Sequence, residues 1–183
     1  MEQYNRLQVF DFDETFVRVP SYASKRLAEN SEITFTHPYD FYDHPNSLND
    51  NVYNIQMVGP VYDAWKEGRG DMKTFQTLIT HRVKEVEKEV KLVLSNRSIK
   101  FNEFHFLGRR TPKVDEVIIM LEARPNINVI EIYEDSIHQL SLYQDYFNSV
   151  EHAYEVKLYL VDKSNMFKID NIQISGAKKV ILI

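Results

Sequence analysis

Two periodicities run along the chain, and the switches between them predict its elements. Leu7 to Phe10 is a short apolar-rich run that ends against Asp11, Asp13 and Glu14, the pattern of a buried central strand leading into a polar loop. Phe75 to Thr80, Phe104 to Leu107, Asn128 to Tyr133 and Val156 to Val161 predict four further strands. Between them the spacing is helical. Pro60 suits the first turn of a helix through Val61, Ala64 and Trp65 that Gly68 and Gly70 end. Val86, Val90, Val93 and Leu94 give the charged stretch from Val83 to Ser95 one apolar face. Val114 to Ala123 and a segment through His138, Leu142 and Phe147 predict two more helices. Strands alternating with helices through short polar turns predict an α/β fold, a mostly parallel sheet covered on both faces. The closing Lys178 to Ile183 segment is expected to add an edge strand.

From Val17 to Val58 this order fails. Pro20, Pro38 and Pro45 interrupt it, and Asn, Asp and His residues are interleaved with Tyr and Phe. A structureless stretch of that length is unusual inside a compact domain, so its aromatics are expected to pack it down as a lid or cap. The length of 183 residues suits one sizeable core, giving a single domain over residues 1–183 with an inserted cap at about 17–58.

Composition narrows the chemistry. The chain has no cysteine, which excludes disulfides, a thiolate nucleophile and any zinc or iron–sulfur site that needs cysteine. No stretch approaches the roughly 20 apolar residues of a membrane span, and the N-terminus lacks the pattern of a signal peptide, so a cytoplasmic protein without a membrane partner is expected. A formal net charge of −5 gives no long-range attraction to nucleic acid, although a local basic groove remains compatible with it.

The acidic run after the first strand is the leading candidate site. An unpaired buried charge is expensive, and at the carboxyl edge of a parallel sheet Asp11 and Asp13 face the region where such sheets bind ligands. Two carboxylates there suit a hard divalent ion, Mg²⁺ above all. The alternative is an acidic turn after the strand, with Asp13 or Thr15 capping the next turn. Thr80 ends the second strand, Lys113 lies near a helix start, and Glu134 and Asp135 end the fourth strand. Taken singly, these suit a cap, a solvent charge and an acidic helix start. Taken together, a parallel sheet gathers a hydroxyl, a cation and a second acid pair onto the edge that carries Asp11 and Asp13.

Asp11-Phe12-Asp13-Glu14-Thr15 resembles the first motif of the haloacid dehalogenase-like (HAD) phosphatase superfamily, Leu78-Ile79-Thr80 its second, Lys113 its third and Glu134-Asp135 its fourth. Tyr42-Asp43-His44-Pro45-Asn46-Ser47-Leu48, Leu78-Ile79-Thr80-His81-Arg82 and Tyr133-Glu134-Asp135-Ser136-Ile137-His138 are similar to segments of the HAD domains of Swiss Army Knife RNA repair-like proteins. The resemblance implies a HAD-like Rossmannoid three-layer sandwich with a small irregular cap, and a Mg²⁺-dependent phosphomonoester hydrolase. Asp11 would be the nucleophile that forms an aspartyl-phosphate, and Asp13 the proton donor and acceptor. Thr80 and Lys113 would hold the phosphoryl oxygens, with Arg82 and His44 facing substrate. Mg²⁺ would be held by Asp11, by Asp13 through its carbonyl, and by Glu134 or Asp135, with Thr15 and His138 supporting the acids. Three positions depart from the pattern: His81 replaces a usual Gly, Glu134 a usual Asp and Ser136 a usual Arg.

The substrate left open by these residues is a phosphorylated small molecule, a nucleotide or an RNA or DNA end. Tyr39, Phe41, Tyr42 and Tyr53 suit base stacking or simple anchoring of the insertion. Arg109, Arg110 and Lys113 form a short basic patch near the expected site. The competing reading is a non-catalytic phosphate- or protein-binding HAD-like module.

Overall fold

The computed structural model describes residues 4–19, 27, 29, 35–109, 111–151, 154–163 and 165–169. Strand β1 (Arg6–Phe10) lies inside a six-stranded sheet. Its neighbours are β4 (Thr74–Thr80) and β6 (Val129–Glu134), both parallel to it. Outside β4 runs β5 (Glu103–Phe106), and outside β6 runs β7 (Glu155–Asp162), again parallel. The antiparallel β8 (Asn165–Ile169) closes the β7 edge.

Among the described residues four helices cover the sheet. The period-2 alternation of β1 sends Phe10 to one face, where it meets Val61 and Trp65 of α3 (Gly59–Gly70) and Val90 and Val93 of α4 (Glu87–Ser95). Leu7 and Val9 point the other way, toward Val117 and Met120 of α5 (Lys113–Ala123) and Leu140 and Phe147 of α6 (Ile137–Ser149). The result is a Rossmannoid three-layer sandwich. Among the described residues no helix is long and apolar enough to cross a membrane.

Register places like beside like across the strands. Phe10, Tyr133 and Tyr159 occupy adjacent positions and stack, with ring centroids 4.6 and 4.7 Å apart. Two residues earlier, Gln76, Gln8, Glu131 and Lys157 form a polar row across β4, β1, β6 and β7. Gln8 donates to Glu131 at 2.9 Å and accepts from Gln76 at 2.8 Å. Gly68 allows α3 to approach this row, since a Cβ there would sit 2.0 Å from the Gln8 Oε1.

Between β1 and α3 the chain makes the small insertion. Its base is an antiparallel pair, β2 (Val17–Arg18) with β3 (Gln56–Met57), and it carries α1 (Pro38–Tyr42), a 3₁₀ turn (Pro45–Leu48) and α2 (Asp50–Tyr53). Phe41, Leu48, Tyr53 and Ile55 are buried in the same apolar cluster as Phe10 and Trp65, so the insertion shares the main core. Arg97, just past α4, clamps it with hydrogen bonds of 2.8 Å to Asp50 and to the Ile55 carbonyl.

The structure refines two expectations and leaves a third outside the described residues. The stretch from Val83 to Ser95 is a 3₁₀ turn (Lys84–Val86) followed by α4, not one helix. The edge beside β7 is filled by β8, which follows a tight turn with Lys163 in the left-handed region at φ 56°. The expected strand at residues 178–183 lies outside the described residues, as do Pro20 and Arg110 and the side chain of Tyr39.

Candidate active site

Asp11 is carried past the end of β1 by one more ladder bond, from its N–H to the Tyr133 carbonyl at 3.0 Å. The Phe12 carbonyl then accepts from Phe16 and Val17 N–H at 3.0 and 2.9 Å, which folds the loop back on itself. Glu14 takes a left-handed conformation inside this turn, at φ 57°. The turn returns Thr15 to the strand end, where its hydroxyl donates to Asp11 Oδ2 at 3.0 Å and lies 3.5 Å from Asp135 Oδ1.

Lys113 comes from the opposite layer, at the first position of α5. A cation at a helix N-terminus opposes the helix dipole, and here two carboxylates offset that. Lys113 Nζ donates to Asp11 Oδ1 and to Glu134 Oε2, each at 2.6 Å, and is only 3% exposed. Glu134 closes β6, and its second oxygen accepts from the Ser136 N–H at 3.2 Å. Ser136 in turn caps α6 by accepting from the Gln139 N–H. Thr80 ends β4 fully buried, its hydroxyl accepting from the Arg82 N–H at 3.1 Å.

Carboxylate oxygens of Asp11, Glu134 and Asp135 lie within 4.8 Å of one another. Among the described residues Lys113 is the cation in contact with Asp11 and Glu134, and it does not balance three acids. Asp135 is the exposed member of the cluster, and desolvation at the cavity wall, then the charges of Asp11 and Glu134, push its carboxyl up to about 9. Burial and Glu134 likewise raise Asp11, with Lys113 opposing. Burial disfavours charge on Lys113, yet Asp11 and Glu134 outweigh it and hold the ammonium above its ordinary range. A cluster of hard oxygen donors short of positive charge suits a divalent ion such as Mg²⁺. Asp11, Glu134 and Asp135 fit that role.

Asp13 is held differently. Arg82 forks onto it, with Nε and Nη2 at 2.8 and 2.7 Å from its two oxygens. Burial raises the Asp13 pKa, against the pull of Arg82. The other guanidinium nitrogen donates to Ser47 Oγ at 2.9 Å and to the Tyr42 carbonyl, both in the insertion.

Asp11, Asp13, Thr80, Arg82, Lys113, Glu134, Asp135 and His138 line one cavity of about 710 Å³. Thr15 stands behind Asp11, and His138 sits on the cavity wall in the first turn of α6. His44 is not in the cavity lining; it caps the 3₁₀ turn of the insertion, its Nδ1 accepting from the Asn46 N–H at 3.1 Å. His81 lines the cavity with its Nε2 3.1 Å from the Thr111 carbonyl. Arg109 also lines it, bonded to Asp43 at 2.9 Å and to Asp40 at 3.1 Å. Sequence reasoning did not single out Ser47, whose hydroxyl touches Arg82. Its one signal was its place in the Tyr42 to Leu48 segment.

No protein-family model matches the sequence, and no curated protein matches it. Among solved structures the chain is similar to one chain of a Pnkp1/Rnl/Hen1 complex, at 10% identity and a TM-score of 0.56 over 86% of this chain. That match spans 45% of the other chain, less than half its length. The chain is also similar to the HAD domain of the effector protein Lem4 from Legionella pneumophila, at 14% identity and a TM-score of 0.51, covering 86% of this chain and 85% of that one. At such identities the likeness is one of fold, a three-layer sandwich, and this chain carries an acidic cluster at the carboxyl edge of its sheet.

Proposed function

We propose that this chain is a divalent-metal-dependent phosphomonoester hydrolase that works through an aspartyl-phosphate on Asp11. The observation that carries the reading is the contact of Lys113 with both Asp11 and Glu134, beside Asp135, at the carboxyl edge of β1 and β6. In this proposal one Asp11 oxygen attacks phosphorus as the bond to the leaving oxygen breaks, and Asp13 gives that oxygen its proton. Water then attacks phosphorus and yields its proton to Asp13. The bond to Asp11 breaks, and inorganic phosphate leaves. Lys113 and the Thr80 hydroxyl neutralise and orient the phosphoryl oxygens. Mg²⁺ held by Asp11, Glu134 and Asp135 would supply charge neutralisation and alignment. Lys113 favours the ionised form of Asp11 against its burial, and the bound ion would add to that.

The proposal covers one domain over residues 1–183, with residues 17–58 as the cap, in the cytoplasm. Its substrate is a phosphorylated small molecule, a nucleotide or a phosphorylated RNA or DNA end. The nucleic-acid end is supported by the Tyr42 to Leu48 segment and by the fold likeness to a chain of the Pnkp1/Rnl/Hen1 complex.

A screen of purified protein with Mg²⁺ tests the reading. It sets small phosphomonoesters beside nucleotides and oligonucleotides bearing 3′- or 5′-phosphates. Turnover is expected that disappears with a chelator and in Asp11→Asn and Asp13→Asn. Activity that survives either change, or that needs no metal, overturns the mechanism. Binding of a phosphate mimic without turnover on any substrate favours the non-catalytic module instead.

A further inference from the structure

We infer that Ser47 is a positioning residue for proton transfer: the 3₁₀ turn of the insertion holds Arg82 on Asp13, so the acid–base carboxylate is aligned by the seated cap. The inference rests on the proposed role of Asp13. Arg82 is 2% exposed, and its guanidinium contacts are committed on two sides. Nε and Nη2 grip both oxygens of Asp13, while Nη1 serves Ser47 Oγ and the Tyr42 carbonyl. The rings of Phe12 and Tyr42 lie 5.5 and 5.4 Å from Arg82 Cζ. Four of the five guanidinium N–H groups are therefore spent on protein, and the side chain is better placed to orient Asp13 than to reach for substrate.

The turn that presents Ser47 is fixed by its own sequence. His44 caps it, Pro45 presets its first dihedral, and the Ser47 N–H donates to the His44 carbonyl at 2.9 Å. Ser47 is fully buried, so removing its hydroxyl leaves an Arg82 N–H without that acceptor in a place water does not reach. The guanidinium then shifts, and the plane of the Asp13 carboxylate shifts with it. A proton donor out of line with the leaving oxygen loses its catalytic effect. Arg82 also donates its backbone N–H to the Thr80 hydroxyl, so cap, acid–base group and expected phosphoryl subsite meet at one residue.

The experiment compares kcat/KM, which reports the step that expels the leaving group, on two esters in the presence of Mg²⁺. One is p-nitrophenyl phosphate, whose leaving group departs without a proton. The other is glycerol phosphate, whose alkoxide needs one. Ser47→Ala is expected to lose about tenfold or more on glycerol phosphate and to keep most of its rate on the aryl ester. Ser47→Thr, which retains the hydroxyl, is expected to restore the alkyl rate. Ser47→Cys matches serine in size with a weak acceptor, and it carries the alanine expectation even where the alanine variant fails to fold. Equal losses on the two esters, or no loss on either, overturn the inference while the hydrolase reading stands. A wild-type protein that cleaves neither ester and no phosphate in the wider screen overturns the hydrolase reading, and the inference with it.

Discussion

Strand β6 carries two buried glutamates three residues apart, and their surroundings are opposite. Glu131 lies mid-strand and accepts hydrogen bonds from Arg6 at 2.5 Å, Gln8 at 2.9 Å and Tyr133 at 3.2 Å, with Lys157 3.5 Å away. Burial works against its charge, but the bonds from Gln8 and Arg6 outweigh burial and lower its pKa. Glu134, at the strand end, shares Lys113 with Asp11 and stands beside Asp135, whose carboxyl is pushed up to about 9. One acid is saturated by the protein's own donors, and the other belongs to a group with too little positive charge. A saturated buried acid is part of the architecture; a cluster of acids that includes raised Asp11 and Asp135 at a cavity suits a cation.

The largest expected effect separates the two sites by kind. Asp11→Asn should lower kcat by at least about 10³-fold, because it removes the proposed nucleophile. Its metal-free melting temperature should hold or rise, because the carboxylate it removes is already disfavoured. Glu131→Gln should do the reverse. Breaking a buried pair leaves Arg6 short of its counter-charge and costs about 3 kcal/mol of stability. Chemical denaturation should show that loss while kcat per folded molecule stays unchanged. A Glu131→Gln protein as stable as the wild type would remove the contrast.

Metal should act at one end of the strand only. Mg²⁺ at about a hundred times its dissociation constant should add about 2.7 kcal/mol of stability. The gain should persist in Glu131→Gln and vanish in Asp135→Asn, as read from melting curves with and without chelator.

The smallest effect, read per pH unit, is a pair of opposite pH slopes, each at most about 1.4 kcal/mol per unit for one proton and lower for Asp135, which solvent screens. Glu131, with its lowered pKa, contributes stability that is present above the ordinary carboxylate range and lost as pH falls through its folded value. Asp135, with its pKa raised to about 9, contributes stability that is full below the ordinary carboxylate range and lost as pH rises through 9. Melting temperatures in chelator should therefore show a flatter acid limb in Glu131→Gln and a flatter alkaline limb in Asp135→Asn. By the same linkage, Mg²⁺ binding near neutral pH should release a proton in titration calorimetry, and less in Asp135→Asn.

Legibility in the sequence follows the same division. The strands that flank the cavity were readable because central parallel strands are apolar on both faces, as in Leu7 to Phe10 and Phe75 to Thr80. Asp11, Asp13, Thr80, Glu134 and Asp135 were readable as residue types at or just past strand ends, since a parallel sheet brings those ends together whatever the loops do. The polar row of Gln8, Gln76, Glu131 and Lys157 was not, because only register reveals that four interruptions on four strands are neighbours. The Arg82–Asp13 fork joins residues far apart in the chain, and no spacing rule links them. Strand β8 is short, with Lys168 breaking its apolar run, and its place depends on the left-handed Lys163 turn before it.

Asp11 should hold the phosphoryl group during turnover. Rapid acid quench of the wild-type protein with Mg²⁺ and a phosphomonoester, followed by peptide mass spectrometry, reads that directly. The expected result is phosphate on the peptide that contains Asp11, and none in Asp11→Asn. Turnover with no phosphorylated peptide, or with the phosphate on another residue, would contradict it.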